Sequence, residues 1–567
     1  MRGLRRASLP LVVIVTLLAG SFPRAASEPV RARGGMVVAQ ERLAAQVGAD
    51  ILRDGGNAID ATVATAFALA VTFPFAGNIG GGGFMIVRTA GGETAAYDFR
   101  ETAPAGSSPT MFMREGRYDA RLHHDSHLAV GVPGTVAGLH LAWRAHGTLP
   151  WQRLVRPAIT LARDGFVVSD GLARSLAGVL DEMKPYPASM AQFSKNGVAY
   201  EAGDTLRQPD LAASLERIAA QGPAGFYEGE TALAIGREMA DNGGLITQGD
   251  LRAYRAVRRQ PLTGRYRDYD ILAMPPPSSG GVVLLEALNI LEGYDLRGMG
   301  AGSAAAVHHM AEATRRGFAD RARYLGDPEA NPDMPIARLL SREHAQAQRV
   351  TINANRASVS SPTSFTWPAE GNETTHVSVV DANRNAVSMT YTLEDGYGSK
   401  ITVPGTGILL NNEMGDFNAG PGLTDATGLI GTPPNLAAPG KRMLSSMAPT
   451  IVTRGGELFM VTGSPGGRTI INTVLQTLVN VVDFGMNAQE AVDFGRFHHQ
   501  WLPDRIQHER NGLSPDTLAD LRRRGHTLLE VRSQGSAQVI VVNADEGVLE
   551  GGSDRRTPDA TAIAAPR

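Results

Sequence analysis

The stretch ETTHVSVVD at residues 373–381 marks an abrupt change in the character of the chain. Residues 350–373 are polar and lack apolar periodicity, which indicates an exposed connection where a cut in the backbone is tolerated. From Val377 onward apolar and polar residues alternate, DANRN provides a turn, and the alternation resumes over residues 386–393. The sequence therefore predicts a β-hairpin that begins directly after the polar connection.

The first residue of this hairpin segment, Thr374, could act as a nucleophile if it became a chain terminus. A threonine hydroxyl is a poor nucleophile until a base removes its proton. A threonine at a chain terminus carries its own base, because an α-amine has an unperturbed pKa of about 7.7–8.0. If the bond between Glu373 and Thr374 is cut, Thr374 becomes a candidate nucleophile. Paired threonines also occur for β-propensity alone, and Asn372 begins a glycosylation sequon, so the hypothesis needs support from other elements.

The amino terminus predicts an exported protein. A basic start, MRGLRR, precedes an apolar run over residues 9–19 and small residues up to Ser27, which is the layout of a secretory signal peptide. The run is shorter than the roughly 20 residues that a membrane span needs. We therefore expect residues 1–27 to be removed and the mature protein to lie in the periplasm or the medium.

Composition excludes several functional classes. The chain has 567 residues, 43% of them hydrophobic and 20% charged, with a formal net charge of -3 and no basic block of the kind that nucleic-acid binding requires. The absence of cysteine excludes a cysteine nucleophile, disulfides and thiolate metal sites. The apolar content is ample for a large folded core.

Periodicity along the chain indicates sheets covered by helices on their outer faces. We expect helices over residues 36–75, with Asn57 as a cap, and mainly helices over residues 130–330. Strands are expected at 84–89, at 94–99 and near 538–554. The four glycines at 80–83 are not followed by Gly-Lys-Ser/Thr, so they predict close backbone packing rather than a phosphate loop.

Other polar groups suit recognition of an amino acid. The GSPGG sequence at residues 463–467 lies between a predicted strand and a predicted helix. Unpaired backbone amides in this position can form an oxyanion hole, but an ordinary strand-to-helix turn is the preferred interpretation unless other evidence supports the functional one. Arg100, just past a strand, could bind a carboxylate through two hydrogen bonds. The set is completed by four further side chains, two acids for an ammonium group and two hydroxyls: Glu413, Asp416, Ser445 and Ser446.

Ten motifs in order make the chain resemble the γ-glutamyltranspeptidases, also called glutathione hydrolases. The resemblance extends from about Gly35 to the C-terminus. The motifs are GGNAIDATVA, GGGGFMIVR, DFRETAP, GVPGTVAGL, PPPSSGG, TTHVSVVD, GILLNNEM, LSSMAPT, GSPGGRTI and FHHQWLPD.

The resemblance implies an α+β fold, a four-layer αββα sandwich of the N-terminal-nucleophile hydrolase type. It also implies a precursor that cleaves itself before Thr374 into a large subunit, residues 28–373, and a small subunit, residues 374–567. The two would remain together as a heterodimer that forms one intertwined domain. The implied reaction transfers the γ-glutamyl group of glutathione and related compounds, through a threonyl ester, to water or to amino acid and dipeptide acceptors. No cofactor or metal is implied.

The resemblance also implies roles for individual residues. Thr374 would be the nucleophile of both processing and catalysis, and the hydroxyl of Thr392 would orient it. The remaining matches are Gly466 and Gly467 for the oxyanion hole, Arg100, Ser445 and Ser446 for the substrate α-carboxylate, and Glu394, Glu413 and Asp416 for its α-amine. Glu394 stands where many members of the family have Asn.

Two positions depart from the family pattern. Gly415 stands where an acidic residue often precedes the key aspartate, and we expect Asp416 to keep its place. The lid segment at residues 418–435 has no aromatic residue, and Thr427 lies near the position where lidded members often have Tyr. This departure predicts looser access that favours water or larger acceptors, with transfer to glycylglycine no faster than hydrolysis.

Three other functions remain as alternatives. A related acylase for glutaryl or cephalosporin-type side chains would share the fold and the self-cleavage, but a glutaryl group has no α-amine for Asp416. A non-catalytic periplasmic binding protein would not need the Thr374, Thr392 and Gly-Gly set. A Ser-His-Asp hydrolase lacks a Gly-x-Ser-x-Gly motif here. The histidines at residues 123–127, 308–309 and 498–499 show no clean metal-ligand spacing, so no metal site is expected.

Overall fold

Two seven-stranded antiparallel sheets stack face to face, and helices cover the outer face of each sheet. This computed structural model describes residues 27–361, 374–423, 425–426 and 431–566. The predicted four-layer αββα architecture is confirmed. Residues 1–26 of the predicted signal peptide, Glu373 and Thr427 lie outside the described ranges.

The first sheet combines strands from both ends of the chain. Each strand is antiparallel to its neighbours. The order across this sheet is Val30–Ala32, Val548–Ser553, Gln538–Asn543, Glu457–Gly463, Thr450–Arg454, Tyr269–Ala273 and Leu262–Tyr266.

The second sheet contains the predicted hairpin at its centre. The hairpin strands are Thr375–Val380 and Ala386–Thr392, with Thr375 opposite Tyr391. The order across this sheet is Val257–Arg259, Thr94–Phe99, Gly82–Arg88, Ala386–Thr392, Thr375–Val380, Gly35–Ala39 and Thr561–Ala565.

Short strand pairs and helices complete the described part of the chain. The remaining strands are Met113–Arg114, Arg117–Tyr118, Phe166–Val167, Ser194–Lys195, Val198–Ala199, Thr205–Leu206, Thr402–Val403, Ile408–Leu409, Phe497–His498, Ile506–Glu509 and Leu528–Val531. The α-helices are Arg42–Arg53, Ala58–Thr72, Ala120–His124, Thr135–His146, Trp151–Asp164, Asp170–Met183, Pro187–Phe193, Pro209–Gln221, Ala224–Tyr227, Gly229–Asn242, Gln248–Ala253, Gly280–Leu291, Leu296–Met299, Ala304–Tyr324, Ile336–Leu339, Arg342–Arg349, Thr469–Val482, Ala488–Asp493 and Pro515–Arg523. Three 3₁₀ turns are His127–Ala129, Glu413–Asp416 and Pro433–Asn435.

The helix Ala58–Thr72 shows how the outer layer attaches to the second sheet. Asn57 caps it, as predicted, and Asp60 completes a reciprocal capping box. Every residue of this helix is buried, because it packs between the hairpin strands and the helix Trp151–Asp164. Its faces are accordingly mostly apolar. Three buried hydroxyls on the helix donate to carbonyl oxygens one turn back, those of Thr62, Thr65 and Thr72.

The glycines at residues 80–83 pack against neighbouring backbone, as predicted. A Cβ atom on Gly80 would lie 2.2 Å from the carbonyl oxygen of Leu409, and one on Gly83 would lie 2.4 Å from that of Thr390. These distances are too short for any side chain, so glycine is required at both positions.

One secondary-structure prediction was wrong, and a second, correct in the main, missed three strands. Residues 35–39 form a fully buried strand rather than the start of a helix, because a short apolar run carries no period that separates the two states. Residues 257–273 form three strands within a region that we expected to be mainly helical. These strands are three to five residues long; Val257–Arg259 and Tyr269–Ala273 pair with distant strands, and Leu262–Tyr266 pairs with Tyr269–Ala273.

Across the described ranges, no helix combines the length and apolar character that crossing a bilayer requires.

Candidate active site

Thr374 and Thr392 lie side by side at the same end of two central strands of the second sheet. Thr374 directly precedes the strand Thr375–Val380 and is 5% exposed. Thr392 ends the adjacent antiparallel strand, and the register that pairs Thr375 with Tyr391 brings Thr374 next to it. The Oγ1 atom of Thr392 accepts a hydrogen bond of 2.9 Å from the backbone N–H of Glu394, which fixes the orientation of the hydroxyl.

A small cavity beside Thr374 gathers most of the predicted site. The sequence assigned roles to ten residues, and eight of them line this cavity; Arg100 and Gly466 lie outside the lining. Two further lining residues, Met447 and Ile470, are apolar and were not singled out from the sequence. The lining consists of Thr374, Thr392, Glu394, Glu413, Asp416, Ser445, Ser446, Met447, Gly467 and Ile470.

Arg100 lies behind this cavity, completely buried at the end of the strand Thr94–Phe99. Its two terminal nitrogens donate hydrogen bonds to Glu413 and Asp416, and Glu101 lies 3.8 Å away. Burial by itself would lower the pKa of Arg100, but the neighbouring carboxylates raise it above its usual value. The guanidinium thus holds both acidic side chains in the cavity wall. That Arg100 binds a substrate carboxylate stays a prediction.

The acidic residues around Arg100 outnumber its single positive charge. Burial raises the pKa of Glu101 to about 8 and raises that of Glu413 well above its ordinary value, against the opposing effect of Arg100. Glu394 and Asp416 add two more carboxyl groups to the same wall. Burial therefore favours the protonated form of Glu101 and Glu413, and a positively charged ligand group at this end of the cavity would favour their ionised form.

The turn that carries Glu413 and Asp416 is held by two asparagines that sequence reasoning missed. The Oδ1 atom of Asn411 accepts the backbone N–H of Glu413 at 3.0 Å, while its Nδ2 atom donates to the carbonyl oxygen of Gly80 at 2.8 Å. Asn435 donates to the carbonyl oxygen of Asp416 at 2.7 Å. The adjacent pair in the sequence GILLNNEM was the available signal for Asn411.

Gly415 fits tightly within this turn. A Cβ atom on Gly415 would lie 2.5 Å from both Oε1 of Glu394 and Nδ1 of His124. The lack of a side chain at Gly415 therefore makes room for Glu394, and Asp416 keeps its place in the cavity as expected.

Ser445 and Ser446 are fixed by the segment at residues 277–279, part of the PPPSSGG motif. The backbone N–H of Ser445 donates to the carbonyl oxygen of Pro277 at 3.0 Å, and its carbonyl oxygen accepts the N–H of Ser279 at 2.7 Å. Arg321, which the sequence did not single out, donates to the hydroxyls of Ser279 at 2.7 Å and Ser446 at 3.2 Å. Arg321 therefore ties a distant helix to the serine pair.

The GSPGG segment forms the predicted turn between the strand Glu457–Gly463 and the helix Thr469–Val482. Gly466 and Gly467 have φ angles of 129° and 52°, which favour glycine. The carbonyl oxygens of both glycines accept backbone hydrogen bonds from the first helical turn, at 3.0 and 3.1 Å. Gly467 thereby lies in the cavity wall at a helix N-terminus, where amides stabilise negative charge.

These features agree with what comparison with known proteins shows. The family model described as Gamma-glutamyltranspeptidase matches residues 44–564. The chain belongs to the γ-glutamyltranspeptidase family. The glutathione hydrolase proenzyme of Escherichia coli (strain K12) is 50% identical over 536 residues, which cover 94% of this chain and 92% of that protein.

Two solved structures extend the likeness to three dimensions. A γ-glutamyltranspeptidase from Helicobacter pylori is 42% identical, with a TM-score of 0.55 over 56% of this chain and 91% of that chain. A cephalosporin acylase from Bacillus halodurans is 30% identical, with a TM-score of 0.84 over 97% of this chain and 99% of that chain. The transpeptidase family and these acylases therefore share one fold.

A second, larger cavity of about 470 Å³ adjoins the transpeptidase site. It shares Thr374 with the smaller cavity and includes Gly466, the aromatic rings of Phe73 and Phe75, and the carboxylate of Asp559. A group attached to the reacting carbonyl could extend into this space while the other end of the molecule occupies the smaller cavity.

The histidine motif HHDSH packs against the acidic turn. Both ring nitrogens of His123 have partners, the Tyr118 hydroxyl and the carbonyl oxygen of Met414, each at 3.0 Å. His124 lies 3.4 Å from Glu394. The motif therefore supports the wall of this transpeptidase site from outside.

If the amide of Gly466 is one of the oxyanion donors, as the resemblance implies, changing Gly466 to alanine should displace it and lower kcat by about a hundredfold with little change in KM. A Cβ atom there would lie 2.4 Å from Oγ1 of Thr469, so the turn must shift. The measurement is steady-state hydrolysis of a γ-glutamyl anilide. Gly456→Ala is the control, since Gly456 has a φ of 84° and no atom within 4 Å of an added Cβ. Equal kcat values for the two variants would contradict the role of Gly466.

Proposed function

We propose that this enzyme matures by cleavage between Glu373 and Thr374 and hydrolyses or transfers γ-glutamyl groups through Thr374. The observation that carries this proposal is the small cavity, which combines Thr374 with carboxylates fixed on Arg100 and with Gly467 at a helix N-terminus. Membership of the γ-glutamyltranspeptidase family makes the chain an enzyme that acts on γ-glutamyl compounds, glutathione among them.

The sheet order supports the view that the two subunits stay together after cleavage. In the second sheet, strands from residues 28–373 and strands from residues 374–567 are interleaved: Gly35–Ala39 pairs on one side with Thr375–Val380 and on the other with Thr561–Ala565. In the first sheet, Val30–Ala32 pairs with Val548–Ser553. Separation of the subunits would therefore break both sheets.

The mechanism begins with the head group of the substrate in the smaller cavity. The α-ammonium group lies against Glu413 and Asp416, with Glu394 nearby. The α-carboxylate is bound by the hydroxyls of Ser445 and Ser446, with the positive charge of Arg100 acting from behind the acidic pair. This assignment follows the charges, because the acidic wall attracts the ammonium group. It leaves the γ-carbonyl group at Thr374.

Thr374 Oγ then attacks the γ-carbonyl carbon, and its proton passes to the α-amine of Thr374. The amides of Gly466 and Gly467 stabilise the oxyanion. As the C–N bond breaks, the amine returns the proton to the leaving group, and a γ-glutamyl ester of Thr374 remains. Water or an acceptor amine attacks this ester in the same way and regenerates the threonine.

The larger cavity provides space for the leaving group and for the acceptor. Its aromatic side chains suit the apolar part of an amino acid or dipeptide, and Asp559 suits an ammonium group. We assign amino acids and dipeptides as acceptors on this basis. The protein is also proposed to be exported, because its amino terminus has the layout of a signal peptide.

An acylase for glutaryl side chains is the second candidate, because an acylase from Bacillus halodurans shares the fold. The two functions differ in the need for an α-amine. We expect γ-glutamyl anilide to be cleaved with a kcat/KM about 10–100-fold higher than glutaryl anilide, the range given by one charged hydrogen bond. Asp416→Asn should remove most of this preference, while the control Asp395→Asn, outside the cavity, should keep it. Equal cleavage of both anilides by the unmodified enzyme would favour the acylase.

A further inference from the structure

Three helices on the outer face of the first sheet bring two carboxyl groups and one imidazole together, away from the active site. Glu286 comes from the helix Gly280–Leu291, Asp320 from Ala304–Tyr324 and His344 from Arg342–Arg349. The Nε2 atom of His344 lies 2.9 Å from Oδ2 of Asp320 and 3.3 Å from Oε1 of Glu286. One ligand atom from each of the three residues lies within 4.8 Å of the others.

Hydrogen bonds within this cluster do not satisfy Glu286. Its side chain is fully buried, and its Oε2 atom has no hydrogen-bond partner among the described residues. A single N–H at Nε2 of His344 faces both carboxyl groups. A buried carboxylate without a full set of partners is energetically unfavourable, and burial accordingly raises the pKa of Glu286 to about 8.

We propose that Glu286, Asp320 and His344 bind a divalent transition-metal cation, for which Zn²⁺ is the natural probe. Imidazole nitrogen and carboxylate oxygen are ordinary zinc ligands, and metal–ligand bonds of about 2.0–2.2 Å in a tetrahedron hold neighbouring ligand atoms roughly 3.3–3.6 Å apart. The distances of 2.9 and 3.3 Å in the cluster are close to this spacing.

Access and a fourth ligand are also available. The side chains of Asp320 and His344 are 16% and 10% exposed, so a cation can enter from the surface. The side-chain amide of Gln348, one turn after His344 on the same helix, lies 3.4 Å from Nε2 of His344. An amide oxygen in this place, or a water molecule, would complete four-coordination.

A second buried cluster in the same chain shows why this one is different. Glu312 lies near His308 and His526, but Arg315 at 3.2 Å, Arg316 at 2.7 Å and Ser358 already bind its carboxylate. In contrast to the pKa of Glu286, that of Glu312 is lowered to about 2. Burial by itself would raise this pKa, but the two arginines and Ser358 have the larger, opposite effect. Two arginines thus occupy the place of a cation there. This cluster provides a matched control.

A cation at this site would stabilise the helices that support the serine pair of the active site. Asp320 directly precedes Arg321, which donates to Ser446, and Glu286 lies on the helix that follows Ser279. None of the three proposed ligands lines the active-site cavity. We therefore expect the cation to raise thermal stability and to leave the basal rate nearly unchanged.

The test uses the purified full-length protein after treatment with a chelator and dialysis. Zn²⁺ alone is titrated by calorimetry, and the melting temperature is followed with and without Zn²⁺. We expect one strong site per chain and a melting temperature raised by a few degrees at a hundredfold excess over Kd. Glu286→Gln and His344→Gln should each weaken binding by about a hundredfold or more, beyond the effect of changing an outer-shell group. The control His526→Gln should bind as the unmodified protein does.

Zinc binding that Glu286→Gln and His344→Gln leave unchanged would overturn the proposal, as would binding by the unmodified protein that is no stronger than binding by a protein that carries both substitutions. Because these variants keep the size of the side chains, metal-free Glu286→Gln should be at least as stable as the unmodified protein, which separates loss of a ligand from loss of the fold. X-ray absorption spectroscopy at the zinc edge provides an independent check, with one imidazole and two carboxylates expected in the coordination shell. Loss of binding in His124→Gln alone would place the metal in the active site and would also overturn the proposal. None of these outcomes depends on γ-glutamyl chemistry.

Discussion

Replacing Thr374 with alanine should leave an uncut chain with no measurable γ-glutamyl turnover. The change removes the hydroxyl that attacks both the Glu373–Thr374 bond and the substrate, so the two losses should occur together. Removal of a catalytic nucleophile reduces turnover by a factor on the order of 10³ or more. Gel electrophoresis under denaturing conditions measures the first loss, and anilide hydrolysis measures the second.

The neighbouring Thr375 provides the matched control. It has the same side chain and is also buried, but it lies within the strand rather than at its start. Thr375→Ala should still be processed and active. Thr374→Ser should retain part of both activities, because it keeps the hydroxyl. A Thr374→Ala protein that is cut and active would refute the assignment.

Replacing Arg100 with lysine should lower kcat/KM by about 10–100-fold. Lysine keeps the charge but cannot donate to Glu413 and Asp416 at once, and each lost hydrogen bond between charged groups contributes about 1.5–3 kcal/mol. Because the head group of the substrate is bound by the same cluster, most of the loss should appear as a higher KM. Steady-state kinetics with γ-glutamyl anilide provides the measurement.

Arg259→Lys is a suitable control for this change. Arg259 also pairs with two acidic residues, Asp98 and Glu329, but neither of these partners lines the cavity, whereas both partners of Arg100 do. The Arg259→Lys variant should therefore keep KM within a factor of about two. Circular dichroism should show both variants folded. An Arg100→Lys enzyme with normal KM would exclude Arg100 from head-group binding.

The sequence predicted those features of the fold that depend on residues close together in the chain. Local pattern predicted the hairpin around residues 381–385 and the cap at Asn57, because alternation and capping are local properties. The strand Gly35–Ala39 was missed because its five buried residues are too few to show a period. Its pairing with Thr375–Val380, more than 300 residues away, determines its structure.

The candidate site shows the same division. Motif order led to eight residues that line one cavity, although they come from segments dispersed over residues 374–467. Arg321 and Asn435 were missed because they act through single contacts across the fold, to Ser446 and to the Asp416 carbonyl oxygen. Such partners carry no local signal. The pairing of Arg100 with the acidic residues, rather than an open clamp, also required three-dimensional coordinates.

The zinc site has a similar origin. Glu286, Asp320 and His344 are separated by 34 and 24 residues, and none belongs to a spacing that indicates a metal ligand. Only the packing of three helices brings them together. The histidine-rich motif HHDSH, which has the appearance of a metal cluster in sequence, packs against the acidic turn instead.

The most direct test of the central claim is the intact mass of the purified protein under denaturing conditions. We expect two species, one of them running from Thr374 to the C-terminus with about one third of the 60.0 kDa of the whole chain, and Edman sequencing of that species should begin at Thr374. This result would establish the new terminal amine on which the mechanism depends. A single uncut chain that nevertheless hydrolyses γ-glutamyl anilide would contradict the account, because catalysis would then proceed without that amine.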